Sequence, residues 1–192
     1  YSETPYTTTR AIEFMEQAKD ENWCLHLSYI KPHWPYIVPA PYHDMYGTED
    51  IIPVNRSHLE RQDPHPLMAA YYDYRYGRAF SRDDIREAVI PAYMGLITQI
   101  DDQIGRLMSY LKESGQINDT MIVFTSDHGD CLGDHGLSQK WSGYDQVVRV
   151  PAIVWKPGTI KAGQDISSLC QQFDISQTLL EMAEIQIQVI LD

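Results

Sequence analysis

The chain has 192 residues and a formal net charge of −12, and 43% of its residues are hydrophobic. This apolar content is too high for a disordered chain, and the length suits one domain of roughly 100–200 residues. The acidic balance argues against a nucleic-acid or anionic-membrane partner, because both bind clustered Lys and Arg, and no apolar run approaches the ~18 residues of a membrane-spanning helix. Assembly into a homo-oligomer is left open.

The start of the chain does not resemble a secretory signal, because residues 1–5 contain neither a charged start nor an apolar stretch. The chain also lacks an initiator Met, so we expect it to begin inside a longer protein. Cys24, Cys131 and Cys170 cannot form a closed set of disulfides and show no zinc-type spacing, which predicts buried or partly buried free thiols. These features predict a cytoplasmic protein whose true N-terminus is not known.

The first predicted elements are a helix, a strand and a long irregular stretch. Apolar residues at helical spacing predict a helix over 9–19, and the large and branched residues of 23–30 predict a buried strand, with His26 in the core. Prolines interrupt every periodicity from 36 to 90, so this range is predicted to be a loop-rich insertion with one or two short helices.

The second half of the chain has clearer elements. Apolar spacing predicts a long helix that begins at Pro91 and stops at Gly115. Apolar runs predict short strands over 121–126 and 151–155, and a helix over 175–183 is predicted to be capped by the preceding aspartate. Helices and strands thus alternate in an α/β pattern, and strands without polar alternation suit a sheet that is covered on both faces.

The segment 125–140 contains the densest set of candidate ligands and reads TSDHGDCLGDHGLSQK. It begins where a predicted strand ends, and ligands of open α/β sheets bind outside the carboxyl ends of strands. Asp127 and His128 can offer an oxygen and a nitrogen to one divalent cation, but two protein ligands do not hold such an ion firmly, so further carboxylates are needed. A polar, glycine-rich surface loop is the alternative interpretation, and Asp130 and Asp134 are predicted to form turns.

Four segments, taken in order, resemble the sulfatase family of the alkaline phosphatase superfamily. They are KPHWPYIVPAPY at 31–42, the helix over 92–105, the segment 125–151 and the helix over 173–180. The first run is most similar to the phosphonate monoester hydrolase and arylsulfatase branch. The resemblance implies an α/β, alkaline-phosphatase-like sandwich with a central, mostly parallel sheet between helices, which is incomplete in this chain. Residues 1–192 would then be the middle to late portion of a sulfatase-type catalytic domain.

The resemblance also implies roles for five residues. Asp127 and His128 take the positions of metal ligands, and Lys140 that of the lysine on the sulfate or phosphoryl oxygens. His33 takes the position of the histidine near the leaving-group oxygen, and His135 is predicted to orient the loop or the ligands. The implied cofactor is one divalent metal ion, manganese, calcium, zinc or iron; the nitrogen of His128 favours manganese slightly.

Two features of the family have no match in the chain. No Cys or Ser stands in the Cys/Ser-x-Pro-x-Arg context that matures to the formylglycine nucleophile, and the family's early Asp-Asp metal ligands are also absent. We therefore expect a fragment, inactive by itself, of a metal-dependent hydrolase of sulfate or phosphonate/phosphate monoesters or diesters that acts on a small anionic ester. Two alternatives remain: a non-catalytic binding domain that reuses the fold, and a phosphoryl-transfer enzyme of the same superfamily with a Thr or Ser nucleophile.

Overall fold

The computed structural model describes residues 2–185. Its helices and strands are α1 (Glu3–Gln17), α2 (Pro66–Asp73), α3 (Asp83–Glu113), β1 (Ile122–Thr125), α4 (Asp145–Val148), β2 (Ala152–Trp155) and α5 (Gln172–Met182). Short 3-10 segments occur at Tyr42–Asp44, Thr48–Asp50, His58–Arg61, Ala79–Ser81, Gln116–Asn118 and Asp134–Gly136. In the part of the chain that these elements cover, none of the helices is both long and apolar enough to cross a membrane.

Helix α1 packs on α3 along a face that is half threonine. Its buried positions are Thr4, Thr8, Ala11 and Met15, which follow helical spacing. The predicted helix start at residue 9 is wrong, because Thr4 and Thr8 are polar and the apolar pattern therefore begins only after them. The Thr8 hydroxyl lies 2.8 Å from the Tyr29 hydroxyl, so the polar side chain is satisfied inside the interface.

Helix α3 begins at Asp83, eight residues before the predicted start, and Pro91 lies inside it. The first turn carries Asp83 and Asp84, whose charge is favourable at the positive end of the helix dipole but gives no apolar signal. The predicted end is confirmed. Ser114 caps the helix, and Gly115 adopts a left-handed conformation with φ of 78°.

A close backbone contact fixes α3 against the segment Tyr42–Asp44. A Cβ at Gly95 would lie 2.4 Å from the carbonyl oxygen of Tyr42 and 3.1 Å from Cγ2 of Val38. Because a backbone oxygen cannot rotate away, Gly95→Ala is expected to destabilise the protein by about 1–2 kcal/mol, although alanine is intrinsically the better helix former.

Gly105, in the same helix, provides the matched control, because a Cβ there would meet nothing within 4 Å. Gly105→Ala is expected to stabilise by about 0.5–1 kcal/mol. Urea denaturation of both variants measures the difference. Equal stabilisation by the two substitutions would show that the contact at Gly95 is not tight.

The predicted strand over 23–30 forms no ladder within residues 2–185, although its burial alternates with the period of a strand. The partly buried residues are Trp23, Leu25, Leu27 and Tyr29; the exposed residues are Cys24, His26, Ser28 and Ile30. The prediction that His26 lies in the core is therefore wrong, because the side chain falls on the exposed side of this alternation.

The two described strands form an antiparallel pair in which Ile122 lies opposite Trp155 and Thr125 opposite Ala152. The family resemblance implies a mostly parallel sheet, whereas this pair is antiparallel. Phe124 is 38% exposed and Ile153 is 56% exposed, so the pair is also not covered on both faces by residues 2–185.

Helix α5 begins at Gln172, three residues before the predicted start. The Asp174 carboxylate accepts a hydrogen bond from the backbone N–H of Gln171 at 2.7 Å. Asp174 is therefore the third residue of the helix in a capping box, not its N-cap.

The range 36–90 contains α2, several 3-10 segments and the first eight residues of α3. Its tyrosines form much of one core, which we call the tyrosine cluster. The cluster consists of Tyr71, Tyr72, Cys131, Leu137 and Val147. It packs α2 directly against the loop between β1 and β2, so residues of the range 36–90 support that loop.

Candidate active site

The turn that follows β1 is fixed from two sides. Gln172, at the start of α5, donates through its Nε2 to the carbonyl oxygens of Ser126 and Asp127, at 2.9 and 2.7 Å. The backbone N–H of Gly129 donates to the carbonyl of Val147 at 2.8 Å. Asp127 and His128 lie between these anchors, so the conformation of the turn determines where both side chains point.

The side chains of Asp127 and His128 lie close to each other. The Nδ1 of His128 lies 2.8 Å from the carbonyl oxygen of Gly129. Because a carbonyl can only accept, Nδ1 carries the proton and the lone pair is on Nε2. This Nε2 lies 3.4 Å from Oδ2 of Asp127, whose side chain is 81% exposed.

Lys140 reaches the same point from the other end of the loop. Its Nζ lies 2.6 Å from Nε2 of His128 and donates to it. The preceding residues are tightly held: Leu137 and Ser138 are buried, and the N–H of Ser138 donates to the carbonyl of Gly77 at 2.8 Å. The lysine therefore extends from a rigid base.

His33 completes the group from a distant segment. Its ring centroid lies 6.0 Å from that of His128, and its Nδ1 lies 2.9 Å from the carbonyl oxygen of Trp34. That contact makes Nδ1 a hydrogen-bond donor and leaves Nε2 as the ring atom that can exchange a proton. The structure thus brings His33, Asp127, His128 and Lys140 together; their chemical roles stay predictions.

The residues present suit part of a divalent-ion site. Asp127 has a hard oxygen and His128 an imidazole nitrogen, Nε2, which accepts from Lys140 in this structure; both donor types bind Mn²⁺, Zn²⁺ and Fe²⁺. Within residues 2–185 no group of three or more His, Cys, Asp or Glu side chains could hold a metal ion. The ligand roles of Asp127 and His128 stay predictions.

His135 contacts the support of the loop. Its Nδ1 lies 2.6 Å from Oε1 of Glu60, its Nε2 lies 3.2 Å from Oε1 of Gln146, and its ring stacks on Tyr144 with centroids 3.7 Å apart. These contacts agree with the predicted role in orienting the loop. Asp134 accepts from the backbone N–H of Asn55 and from Gln146, each at 2.9 Å, which suits the predicted structural role of this aspartate.

Cys131 is 2% exposed, whereas Cys24 and Cys170 are exposed, so the prediction that the cysteines are buried holds only for Cys131. Burial raises the pKa of the Cys131 thiol to about 11, and the nearby charges of Asp130 and Asp134 add to the rise. A thiol of this kind is almost entirely protonated at neutral pH and is a poor nucleophile.

Sequence patterns did not reveal two residues that shape the site. Gln172 anchors the turn at Asp127 although it lies in another element. Glu60 holds His135 from the segment His58–Arg61. Neither position has a spacing or composition signal that relates it to the loop, because both contacts are long-range.

A model of the sulfatase family matches residues 4–185. The chain belongs to the sulfatase family. It is 36% identical over 195 residues to the multifunctional alkaline phosphatase superfamily protein PehA of Trinickia caryophylli, covering 94% of this chain and 38% of that protein. It is 31% identical over 198 residues to an arylsulfatase of Clostridium perfringens, covering 96% of this chain and 39% of the relative.

Solved structures agree with the family assignment. The phosphonate monoester hydrolase from Silicibacter pomeroyi superposes with a TM-score of 0.88 at 32% identity, covering 97% of this chain and 38% of that chain. The predicted fold class, an α/β fold like that of alkaline phosphatase, is thus confirmed. The chain spans less than half the length of these relatives. Members of the family depend on a divalent metal ion.

Proposed function

We propose that the protein containing this chain is a metal-dependent hydrolase of sulfate esters or of phosphonate and phosphate monoesters or diesters. One observation carries the proposal: Asp127, His128 and Lys140 meet at the carboxyl end of β1, and the ring of His33 lies 6.0 Å from that of His128. The relatives named above, a phosphonate monoester hydrolase and an arylsulfatase, support this class of substrate.

Asp127 and His128 would hold the metal ion, with further carboxylates from sequence outside these 192 residues. When bound, the ion polarises the ester oxygens and lowers the energy of the charge that develops there. The Nε2 of His128 is oriented for this role by the contact of Nδ1 with the carbonyl of Gly129. We favour manganese slightly; stoichiometric calcium without a transition metal in the purified protein would refute that preference.

Lys140 and His33 act on opposite parts of the substrate in this proposal. The Lys140 ammonium places a point charge on the non-bridging oxygens of the sulfate or phosphoryl group. His33, in its imidazolium form, donates the proton on Nε2 to the leaving oxygen, which needs that proton most when the alcohol is a weak acid. No Cys or Ser of the chain has the Cys/Ser-x-Pro-x-Arg context, so the proposal takes the nucleophile from outside this chain and expects the isolated 192 residues to be inactive.

The test uses the full-length protein with an aryl sulfate and an aryl phosphonate monoester as substrates. Asp127→Ala is expected to lower kcat/KM by about 10³-fold or more and to reduce bound metal, because an ion-ligating carboxylate is removed. Asp101→Ala, at an exposed position on α3, is the matched control and should change neither. Elemental analysis measures the metal. Turnover by the isolated 192-residue chain that is lost on Asp127→Ala would contradict the inactivity proposed for it.

A non-catalytic binding domain is the second candidate, because the lack of a nucleophile motif in residues 1–192 fits it equally well. The upstream coding sequence separates the two: a Cys/Ser-x-Pro-x-Arg segment there favours the enzyme. Mass spectrometry of the nucleophile peptide in the full-length protein would distinguish formylglycine from an unmodified Thr or Ser nucleophile of the same superfamily.

A further inference from the structure

A hydrogen bond joins the segment that carries His33 to the loop that carries Lys140. Tyr36 lies three residues after His33, and its hydroxyl donates to Oδ2 of Asp130 at 2.9 Å. Asp130 belongs to the loop between β1 and β2. Two segments that are far apart in the sequence, each with one candidate catalytic residue, are therefore connected through a side-chain contact.

Asp130 in turn closes the loop that leads to Lys140. Its Oδ1 accepts from the backbone N–H groups of Leu132 at 3.0 Å and of Gln139 at 2.8 Å. The N–H of Cys131 also donates to the carbonyl of Gln139 at 3.1 Å. Gln139 directly precedes Lys140, so the carboxylate of Asp130 fixes the backbone from which the lysine extends.

Tyr36 is well placed to act as a rigid link. Its ring packs against Phe80 and Tyr93, with centroids 5.8 and 6.0 Å away. Burial, followed by the charge of Asp130, raises the pKa of the Tyr36 hydroxyl far above its usual range. The hydroxyl therefore stays protonated at neutral pH and can donate to Asp130.

We propose that Tyr36 is a positioning residue that sets the place of His33 relative to Lys140, so that the acid and the cation meet the same ester group. This inference rests on the proposed function. In that reaction Lys140 contacts the non-bridging oxygens while His33 contacts the leaving oxygen of the same group. An error of about 1 Å between two such groups can cost about 10²-fold in rate.

The role predicts an effect that depends on the leaving group. A 4-nitrophenolate leaves readily without a proton, whereas a phenolate or an alkoxide benefits strongly from general acid catalysis. If the link positions His33, its loss should slow esters with poor leaving groups and spare those with good ones. A merely structural role would lower the amount of folded protein and slow every ester equally.

The experiment measures kcat/KM of full-length Tyr36→Phe for a series of aryl sulfates or aryl phosphonates of increasing leaving-group pKa. The expected loss is about 10–100-fold for phenyl esters and less than about 3-fold for 4-nitrophenyl esters. Tyr93→Phe is the matched control, because the Tyr93 ring packs against that of Tyr36 while its hydroxyl has no hydrogen-bond partner within residues 2–185. This control should leave the whole series unchanged.

A second variant tests whether Tyr36 acts through Asp130. Asp130→Ala removes the anchor of the Lys140 loop and should slow all esters, and Tyr36→Phe in that background should add no further leaving-group dependence. A uniform loss, or none, in Tyr36→Phe overturns the role of Tyr36 while leaving the proposed function intact. A wild-type protein that hydrolyses none of these esters overturns the proposed function, and the positioning role with it.

Discussion

Lys140→Met in the full-length protein is expected to lower kcat/KM for aryl esters by about 10²–10³-fold, the loss that follows removal of one preorganised charge from a transition state. Methionine keeps the length and apolar character of the stem and removes only the ammonium. In the structure that ammonium lies 2.6 Å from Nε2 of His128, at the candidate metal position. The steady-state kinetics of the variant measure the effect.

Metal content separates the direct role of Lys140 from an indirect one. Asp127 and His128 remain in Lys140→Met, and Nε2 of His128 loses a competing donor, so bound metal should not fall. Lys156→Met, at a partly buried lysine just after β2, is the control and should retain full activity. Metal loss that parallels the loss of activity would mean that Lys140 supports the ligands and does not act on the ester.

Gly129→Ala is expected to reduce both metal binding and activity, the latter by about 10²-fold or more, because it displaces the turn that carries the ligands. A Cβ at this position would lie 2.0 Å from the carbonyl oxygen of Gln146 and 3.4 Å from Cα of Val147. Both contacts are with backbone, so the turn itself has to move. The hydrogen bond from Gly129 to Val147 would be strained or lost with it.

Gly143→Ala serves as the matched control, because Gly143 lies in the same connection between β1 and β2 and a Cβ there would meet nothing within 4 Å. Thermal unfolding, elemental analysis and kinetics of both variants give the comparison. If Gly129→Ala binds metal and turns over ester as well as Gly143→Ala does, the close contact does not determine the geometry of the turn.

The family motifs were visible in the sequence and their residues lie close together in the structure, while the chemical roles of these residues stay predictions. His33 and Lys140 were matched to family positions by short motifs. These motifs could be recognised because their prolines, glycines and charged residues stand close together in the sequence. Helix α3 was likewise visible as apolar periodicity and strand β1 as a short apolar run, and Gly115 ended the helix as its conformational freedom predicts.

The errors share a physical origin. The start of α3 was missed because its first turn is stabilised by the charges of Asp83 and Asp84 and not by apolar contacts. The exposure of His26 depends on which segments meet in space, which single-sequence periodicity does not encode. The contacts of Gln172 with Asp127 and of Glu60 with His135 likewise join residues that are far apart in the sequence.

The tyrosine cluster joins the range 36–90 and the loop 131–147 into one packed unit. Tyr71 donates from its hydroxyl to the carbonyl of Ser138, and Leu137 is fully buried beneath it, so the range 36–90 and the loop 131–147 share one interior. Grafting 36–90 from a relative would leave that interior mismatched. A successful chimaera therefore has to transfer both segments together. Substitutions that change the interior in one segment should require compensating substitutions in the other.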